Sequence, residues 1–195
     1  MNSNCAKRKP RRFSVAGRRE PWPLGHGIGL QQEKAFRPGP FVYAAEMDRA
    51  PQETRTYHVT AVTAQRLHLF QVSAKAELLQ QTIFDYRGQG RFLLHAFVIM
   101  PDHFHVPITP APNVSLEKAV QFIKGGFSFR LKSKFDVWMR SFNESQIVTE
   151  EKFVSCMRYI EDNPVHEKLV LRVEDYPYTS AGRGPLDPMP LHLRA

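Results

Sequence analysis

His103 and His105, one residue apart, are the first side chains in this sequence whose type and spacing suggest chemistry. They follow an apolar, branched and aromatic run from Leu93 to Met100 and the dipeptide Pro101-Asp102. Proline fixes φ and aspartate accepts local backbone hydrogen bonds, so the dipeptide reads as a tight turn between two strands. Successive side chains of a strand point to opposite faces. His103 and His105 therefore share a face, and Phe104 points the other way, toward a core. Two neutral imidazoles side by side each offer one lone pair, which is enough to grip a single divalent cation. Further along, Tyr159 and Asn163 are four residues apart and lie one above the other on a helix face. Spacing alone does not set Tyr159 apart from the tyrosines at 43, 57, 86, 176 and 178.

Other polar residues carry weaker signals. Lys124, Arg130, Lys132 and Lys134 surround Phe127 and Phe129. Cations interleaved with aromatic rings suit a single-stranded nucleic acid, which offers phosphates and stacking faces together. Two core phenylalanines among solvated cations would give the same pattern. Arg66 begins a smaller basic patch that ends at His68. His95 falls inside an apolar strand and reads as a core or hydrogen-bonding histidine. His58 and His68 flank the first strand and read as surface residues or phosphate contacts. Asp102 is expected to form the turn and face away from the histidine pair. Cys156 reads as a packing residue.

The elements that position these residues follow from pattern. Tyr57 to Thr63 is rich in β-branched residues and predicts a first strand. A helix is expected from Ser73, its cap, to Arg87, with Leu78, Leu79, Ile83 and Phe84 at helical spacing and Gly88 and Gly90 at its end. Arg91 to Met100 and His103 to Thr109 are the second and third strands. Pro107 cannot donate to a ladder, so the third strand must be an edge there, be bulged or end early. Ser115 caps a second helix whose apolar stripe is Leu116, Ala119, Val120 and Ile123. Gly125-Gly126 within it, at about 1 kcal/mol each, implies a kink or a close backbone approach. Residues 137–148 are expected to hold a fourth strand and a turn at Asn143-Glu144. A third helix runs from Glu150, acidic in its first turn as the dipole prefers, to Asn163, where Pro164 is expected to end it. Its Phe153, Met157 and Ile160 point inward, and Lys152, Cys156, Tyr159 and Asn163 form the neighbouring stripe. The order predicts an α+β fold: a ferredoxin-like βαββαβ antiparallel sheet with an added C-terminal helix.

Bulk properties frame this domain. The 195 residues, 42% hydrophobic, suit one packed domain with tails. The formal charge of +8 points to an anionic partner, nucleic acid first. Most of the excess lies in residues 1–50, which hold ten Lys/Arg against four Asp/Glu. That stretch also carries five prolines and five glycines, so residues 1–54 read as an unstructured basic arm. Residues 55–182 form the expected domain, and residues 183–195 a loose, Pro-rich tail. Cys5 and Cys156 are too few for a disulfide framework, which suits the cytoplasm. No apolar run reaches the roughly 18 residues of a membrane span, and no signal-peptide core follows the basic N-terminus.

The run HAFVIMPDHFHVPITP resembles the signature of the IS200-like tyrosine transposases, the HUH type with a single tyrosine, including the REP-associated tyrosine transposases. The resemblance continues in LEKAVQFIKGGFSFRL, RYIEDNPVHEKLV and EDYPYTSA, in the family's order, across residues 55–182. It implies that Tyr159 is a nucleophile, since RYIEDNP is similar to the family's Tyr-Ile-x-x-Asn-Pro. It also implies that Asn163 is a third metal ligand beside His103 and His105. The expected activity is metal-dependent endonuclease and strand transfer on single-stranded or hairpin DNA through a 5′-phosphotyrosine, as in DNA transposition and recombination. Mg²⁺ or Mn²⁺ is favoured over Zn²⁺, because phosphate and water oxygens would complete an octahedral shell. Lys124, Arg130, Lys132 and Arg66 are the expected DNA contacts, and either a monomer or a homodimer suits the family. Two alternatives stay open: a catalytically inactive hairpin-binding relative, and a metal-dependent phosphoesterase that uses activated water.

Overall fold

The β-branched run YHVTAV forms β1 (Thr56–Val62), and every later strand is placed by reference to it. In this computed structural model, which describes residues 53–181 and 186–194, the chain continues through α1 (Ser73–Gly88), β2 (Phe92–Leu94), β3 (Val98–Ile99) and β4 (His103–Pro110). It then runs through α2 (Leu116–Leu131), β5 (Asn143–Ile147) and α3 (Glu150–His166). The expected arm of residues 1–54, Cys5 included, lies outside the described residues except for its last two. All strand pairs are antiparallel, in the order β2-β4-β1-β5 with β3 also on β4. Counting β2 and β3 as one interrupted strand, this is the expected ferredoxin-like order with α3 added.

Alternation divides the sheet into two chemically different faces. Val59, Ala61, Phe104, Val106 and Ile108 are fully buried against Leu79 and Ile83 of α1 and Ile123 and Phe127 of α2. The opposite face carries His58, Thr60, His103, His105 and Thr109 and is covered in part by α3. Ile160 of α3 packs on Ala96, Val98 and Met100, and Phe153 packs on Ile147 and Leu193.

Pro107 is accommodated by a bulge, one of its three expected outcomes. Leu94 pairs with Ile108, whereas Val98 pairs with His105. Four steps along β2–β3 thus match three along β4, so one residue is extra. The core-facing residues change parity across it, from Phe92 and Leu94 to Phe97 and Ile99. A strand residue's N–H and C=O point to the same side, and the Pro107 carbonyl accepts from His95 N at 3.1 Å. The missing proline N–H therefore falls opposite the interruption, and the β1–β4 ladder runs unbroken from Tyr57↔Ile108 to Val62↔His103.

Four sequence expectations need correction. Ser73 is the first residue of α1 rather than its cap, which is Val72. Asn143 and Glu144 begin β5 instead of forming a turn, because β1 supplies a ladder for them (Thr60↔Asn143, Val59↔Glu144). Pro164 does not end α3, which continues to His166. Proline in the last turn gives up only one intrahelical bond there, and Leu169 N caps the Pro164 carbonyl at 2.9 Å. Finally, the tail expected to be loose is held over residues 186–194. Asp187 makes a bidentate pair with Arg87 (2.7 and 2.8 Å) and accepts from Leu94 N at 2.7 Å. Leu193 is 4% exposed. Pro-rich composition signalled the lack of regular structure in this tail; it carried no signal of these long-range anchors.

The Gly125-Gly126 pair resolves into one close approach without a kink. A Cβ on Gly126 would lie 2.5 Å from Cε2 and 3.0 Å from Oη of Tyr86, whereas one on Gly125 meets nothing closer than 4.0 Å. Tyr86 cannot easily move, because its ring is stacked on Phe122 at 5.1 Å. Gly126→Ala is therefore expected to destabilise the domain by about 1–3 kcal/mol, as overpacking does. Gly125→Ala should stabilise it by up to about 1 kcal/mol through helix propensity. Urea unfolding of the two variants checks the opposite signs.

Candidate metal and nucleophile site

The site is built on the sheet face that α3 covers. β4 supplies His103 and His105, β1 supplies His58 and Thr60, and α3 supplies Tyr159. Register brings the first four together: Thr60 is directly opposite His105, and Val62 is opposite His103. His58 is one position diagonal to His105, within reach of an aromatic side chain.

The two histidines of the motif face each other through Nε2, 3.1 Å apart. On its other side His103 Nδ1 donates to Asp102 Oδ1 at 2.5 Å, and Arg66 donates to Asp102 Oδ2 at 3.1 Å. Burial alone would raise the Asp102 pKa, but the bonds from His103 and Arg66 outweigh it and hold the carboxyl below its usual range. Asp102 therefore does not face away from the pair, as its turn position suggested. It folds back and fixes a ring proton of His103 on Nδ1, turning Nε2 toward His105. His105 Nδ1 lies 2.8 Å from Thr60 Oγ1 and 3.1 Å from His58 Nε2. Burial, then the neighbouring His103 and His58, pushes the His105 pKa down to about 3, so this ring is neutral at physiological pH.

Three observations bear on whether a divalent cation fits. Two ligands at a right angle, each bonded at about 2.1 Å, lie about 3.0 Å apart, close to the Nε2–Nε2 separation. Each imidazole is held on its far nitrogen, as ligating histidines are. Asn163, 5% exposed, has a buried Oδ1 with no hydrogen-bond partner. Such an orphan costs about 1–3 kcal/mol unless something satisfies it. Among the described residues no three His, Cys, Asp or Glu side chains are grouped to hold a metal. Two facing imidazoles leave positions around a cation for oxygen ligands from solvent, substrate or a side chain. That arrangement suits an open, catalytic type of site.

Tyr159 stands over the histidines, its ring centroid 5.7 Å from that of His105 and 6.0 Å from that of His58. It is 47% exposed, so part of its side chain is accessible from solvent. The helix arrives there because Thr149 caps it, accepting from Lys152 N, and because Phe153 and Ile160 bury its inner stripe. Cys156, one turn earlier, is pushed up to about 12 by burial and remains a thiol.

Of the four cations read from sequence as DNA contacts, Lys132 is exposed and left-handed at the end of α2. Arg66 is exposed but tied to Asp102. Arg130 pairs with Asp85 at 2.6 Å. Lys124 turns inward: its ammonium donates to the carbonyls of Met139 (2.8 Å) and Ser141 (3.2 Å), and burial lowers its pKa. Of the interleaved aromatics, Phe127 is core, whereas Phe129 is 84% exposed, as is the unforeseen Phe135 at 86%. His95 is a buried, fully hydrogen-bonded histidine, as its strand position suggested. His58 is the residue sequence reading undervalued. It alternates with Thr60 on a correctly identified strand, and only the register on β4 was missing.

Residues 52–163 match the family described as transposase IS200 like. The fold is similar to that of a solved REP-associated tyrosine transposase bound to a REP hairpin, with a TM-score of 0.60 and 23% identity over 71% of this chain and 84% of that one. A crystal structure of a candidate transposase from Deinococcus radiodurans R1 is 25% identical over 59% of this chain and 95% of that one, with a TM-score of 0.43. No curated protein matches. Among the described residues no helix is long and apolar enough to cross a membrane. The family match spans more than half of the 195 residues, over the strands that carry the histidine pair and up to the helix position of Asn163: this chain belongs to the IS200-like transposase family.

Proposed function

We propose that this protein cleaves and rejoins single-stranded or hairpin DNA through a covalent tyrosine link, with a divalent cation, Mg²⁺ or Mn²⁺, at the histidine pair. The observation that carries the reading is the juxtaposition of the exposed Tyr159 with two imidazoles whose Nε2 atoms face each other at 3.1 Å. His103, His105 and Asn163 would hold the cation. Bound there, it would neutralise phosphate charge and polarise the scissile phosphorus–oxygen bond.

The residues then divide the work. Tyr159 Oη attacks the phosphorus, the bond to the 3′ oxygen breaks, and that oxygen takes up a proton as the phenol gives one to solvent. The products are a 5′-phosphotyrosine and a free 3′-hydroxyl. The number of phosphodiester bonds is unchanged, so a second 3′-hydroxyl can reverse the step and be joined without ATP. Arg66, Lys132 and Arg130 are the proposed DNA contacts, joined by the exposed rings of Phe129 and Phe135. Lys124 has its ammonium committed to carbonyls and contributes by holding the 139–141 backbone. Backbone bonds from Ala64 to Val137 and from Met139 to Val62 tie this basic segment to the end of β1 beside Asp102, which supports a DNA path leading to the site. A cytoplasmic protein acting as monomer or homodimer is in keeping with this role.

Incubation with 3′-labelled single-stranded hairpin DNA and Mn²⁺ should transfer label to the protein in a band that survives denaturation, with the adduct on Tyr159 by mass spectrometry. Tyr159→Phe should lose the adduct and keep DNA binding. Cleavage by the Phe variant would point to activated water, and hairpin binding without cleavage by the wild type to an inactive relative.

Metal affinity is checked separately by calorimetry with Mn²⁺. His103→Ala and His105→Ala should each weaken binding by more than the roughly 10–100-fold typical of outer-shell losses. Asn163→Ala should do less, because water can replace a neutral amide ligand. Wild-type affinity in both histidine variants would sink the site.

A further inference from the structure

His105 can offer a lone pair at Nε2 only when its single ring proton sits on Nδ1, since a neutral imidazole has one donor and one acceptor nitrogen. His103 has no such choice, because its Nδ1 faces a carboxylate that can only accept. For His105 there are two possibilities. With the proton on Nε2, it is donated to His103 Nε2 at 3.1 Å and the pair closes on itself. With the proton on Nδ1, two acceptors are at hand: Thr60 Oγ1 at 2.8 Å and His58 Nε2 at 3.1 Å. Both come from one face of β1. His105 is only 6% exposed, which leaves little room for water to substitute for them.

We propose that Thr60 and His58 are positioning residues that accept hydrogen bonds from His105 Nδ1–H and so keep its Nε2 bare toward His103. This rests on the reading above, that the histidine pair holds a divalent cation. Thr60 acts from directly across the strand pair. His58 acts from the diagonal, where its partner across the ladder is Pro107, a residue with a compact ring that leaves the diagonal open. The His58 ring also stands at 68° to Tyr159 with centroids 6.0 Å apart. One side chain therefore touches both the ligand-bearing ring and the nucleophile-bearing ring, and ties their positions together.

The test uses the full-length protein and Mn²⁺ calorimetry on Thr60→Val, His58→Phe and the double variant. Valine keeps the shape of threonine without its oxygen. Phenylalanine keeps a ring against Tyr159 without the nitrogens. Each single variant should lose affinity a few-fold, because the other acceptor remains, and the double variant about 10–100-fold, as losses around a ligating histidine do. A double variant with native circular dichroism and wild-type affinity overturns the proposal. If the double variant does not fold, the His105 tautomer of the metal-free wild type decides, read by long-range proton–nitrogen NMR. A protonated Nδ1 supports the proposal and a protonated Nε2 overturns it. A wild-type protein that binds no Mn²⁺ overturns the site and this inference together. Binding lost in His103→Ala but kept in the double variant overturns this inference alone.

Discussion

The antiparallel register of β1 on β4 is the constraint on which the rest of the molecule depends. Thr60 faces His105 and Val62 faces His103 in that register, and no helix contributes to this part of the arrangement. A slip of one residue would turn every side chain of a strand to the opposite face. The histidines would then enter the apolar core against α1 and α2, and Phe104, Val106 and Ile108, now fully buried, would face α3. The cost of exposing those three, at about 1.5–3 kcal/mol each, is what holds the imidazoles on the polar face. The histidine pair is thus pinned by hydrophobic residues that alternate with it on the opposite face.

The bulge opposite Pro107 shows how this strand stays central while carrying a residue that cannot complete a ladder. The lost donor points at the interruption between β2 and β3, so no partner carbonyl on β1 is orphaned. His95, next to core-facing Leu94, lies on the α3 face by alternation, and a directed row of hydrogen bonds forms there. His192 donates to Thr56, Thr56 to Thr109 and Thr109 to His95, which donates in turn to the Asp187 carbonyl. Thr56, Thr109 and His95 each donate and accept, and the directions follow from the carbonyl at the end of the row. The polar face therefore runs from an anchored C-terminal segment to the histidine pair and Tyr159.

Charge is distributed over the site in a way that suits a cation and an anionic substrate together. Among the described residues Asp102 supplies the only carboxylate in hydrogen-bond contact with the pair, and it sits behind His103, not between the histidines. The inner histidine is neutral because it is buried, and the outer one is held by its carboxylate partner. Tyr159 comes from an element that enters late in the chain and packs by Phe153 and Ile160, so its ring reaches the histidines while the residue stays 47% exposed. Paired strands thus set the two histidines, and a separately packed helix sets Tyr159.

By itself the sequence determined the parts that depend on local rules. Alternation put His103 and His105 on one face, helical spacing put Tyr159 and Asn163 on another, Ser115 capped α2 as its type predicts, and the strand and helix order predicted the sheet. Local rules also found Pro107 a problem without choosing among its solutions. Only the tertiary structure decided what depends on partners distant in the chain. Register made His58 and Thr60 neighbours of His105, 47 and 45 residues away. The ladder on β1 overrode a turn at Asn143-Glu144. Helix packing chose Gly126 over Gly125 as the point of contact, and carbonyls at 139–141 claimed Lys124. Asp187 reached across 100 residues to Arg87 and fastened a tail whose composition promised nothing. Each of these is set by which two distant segments meet, and single-residue propensity carries no information about that.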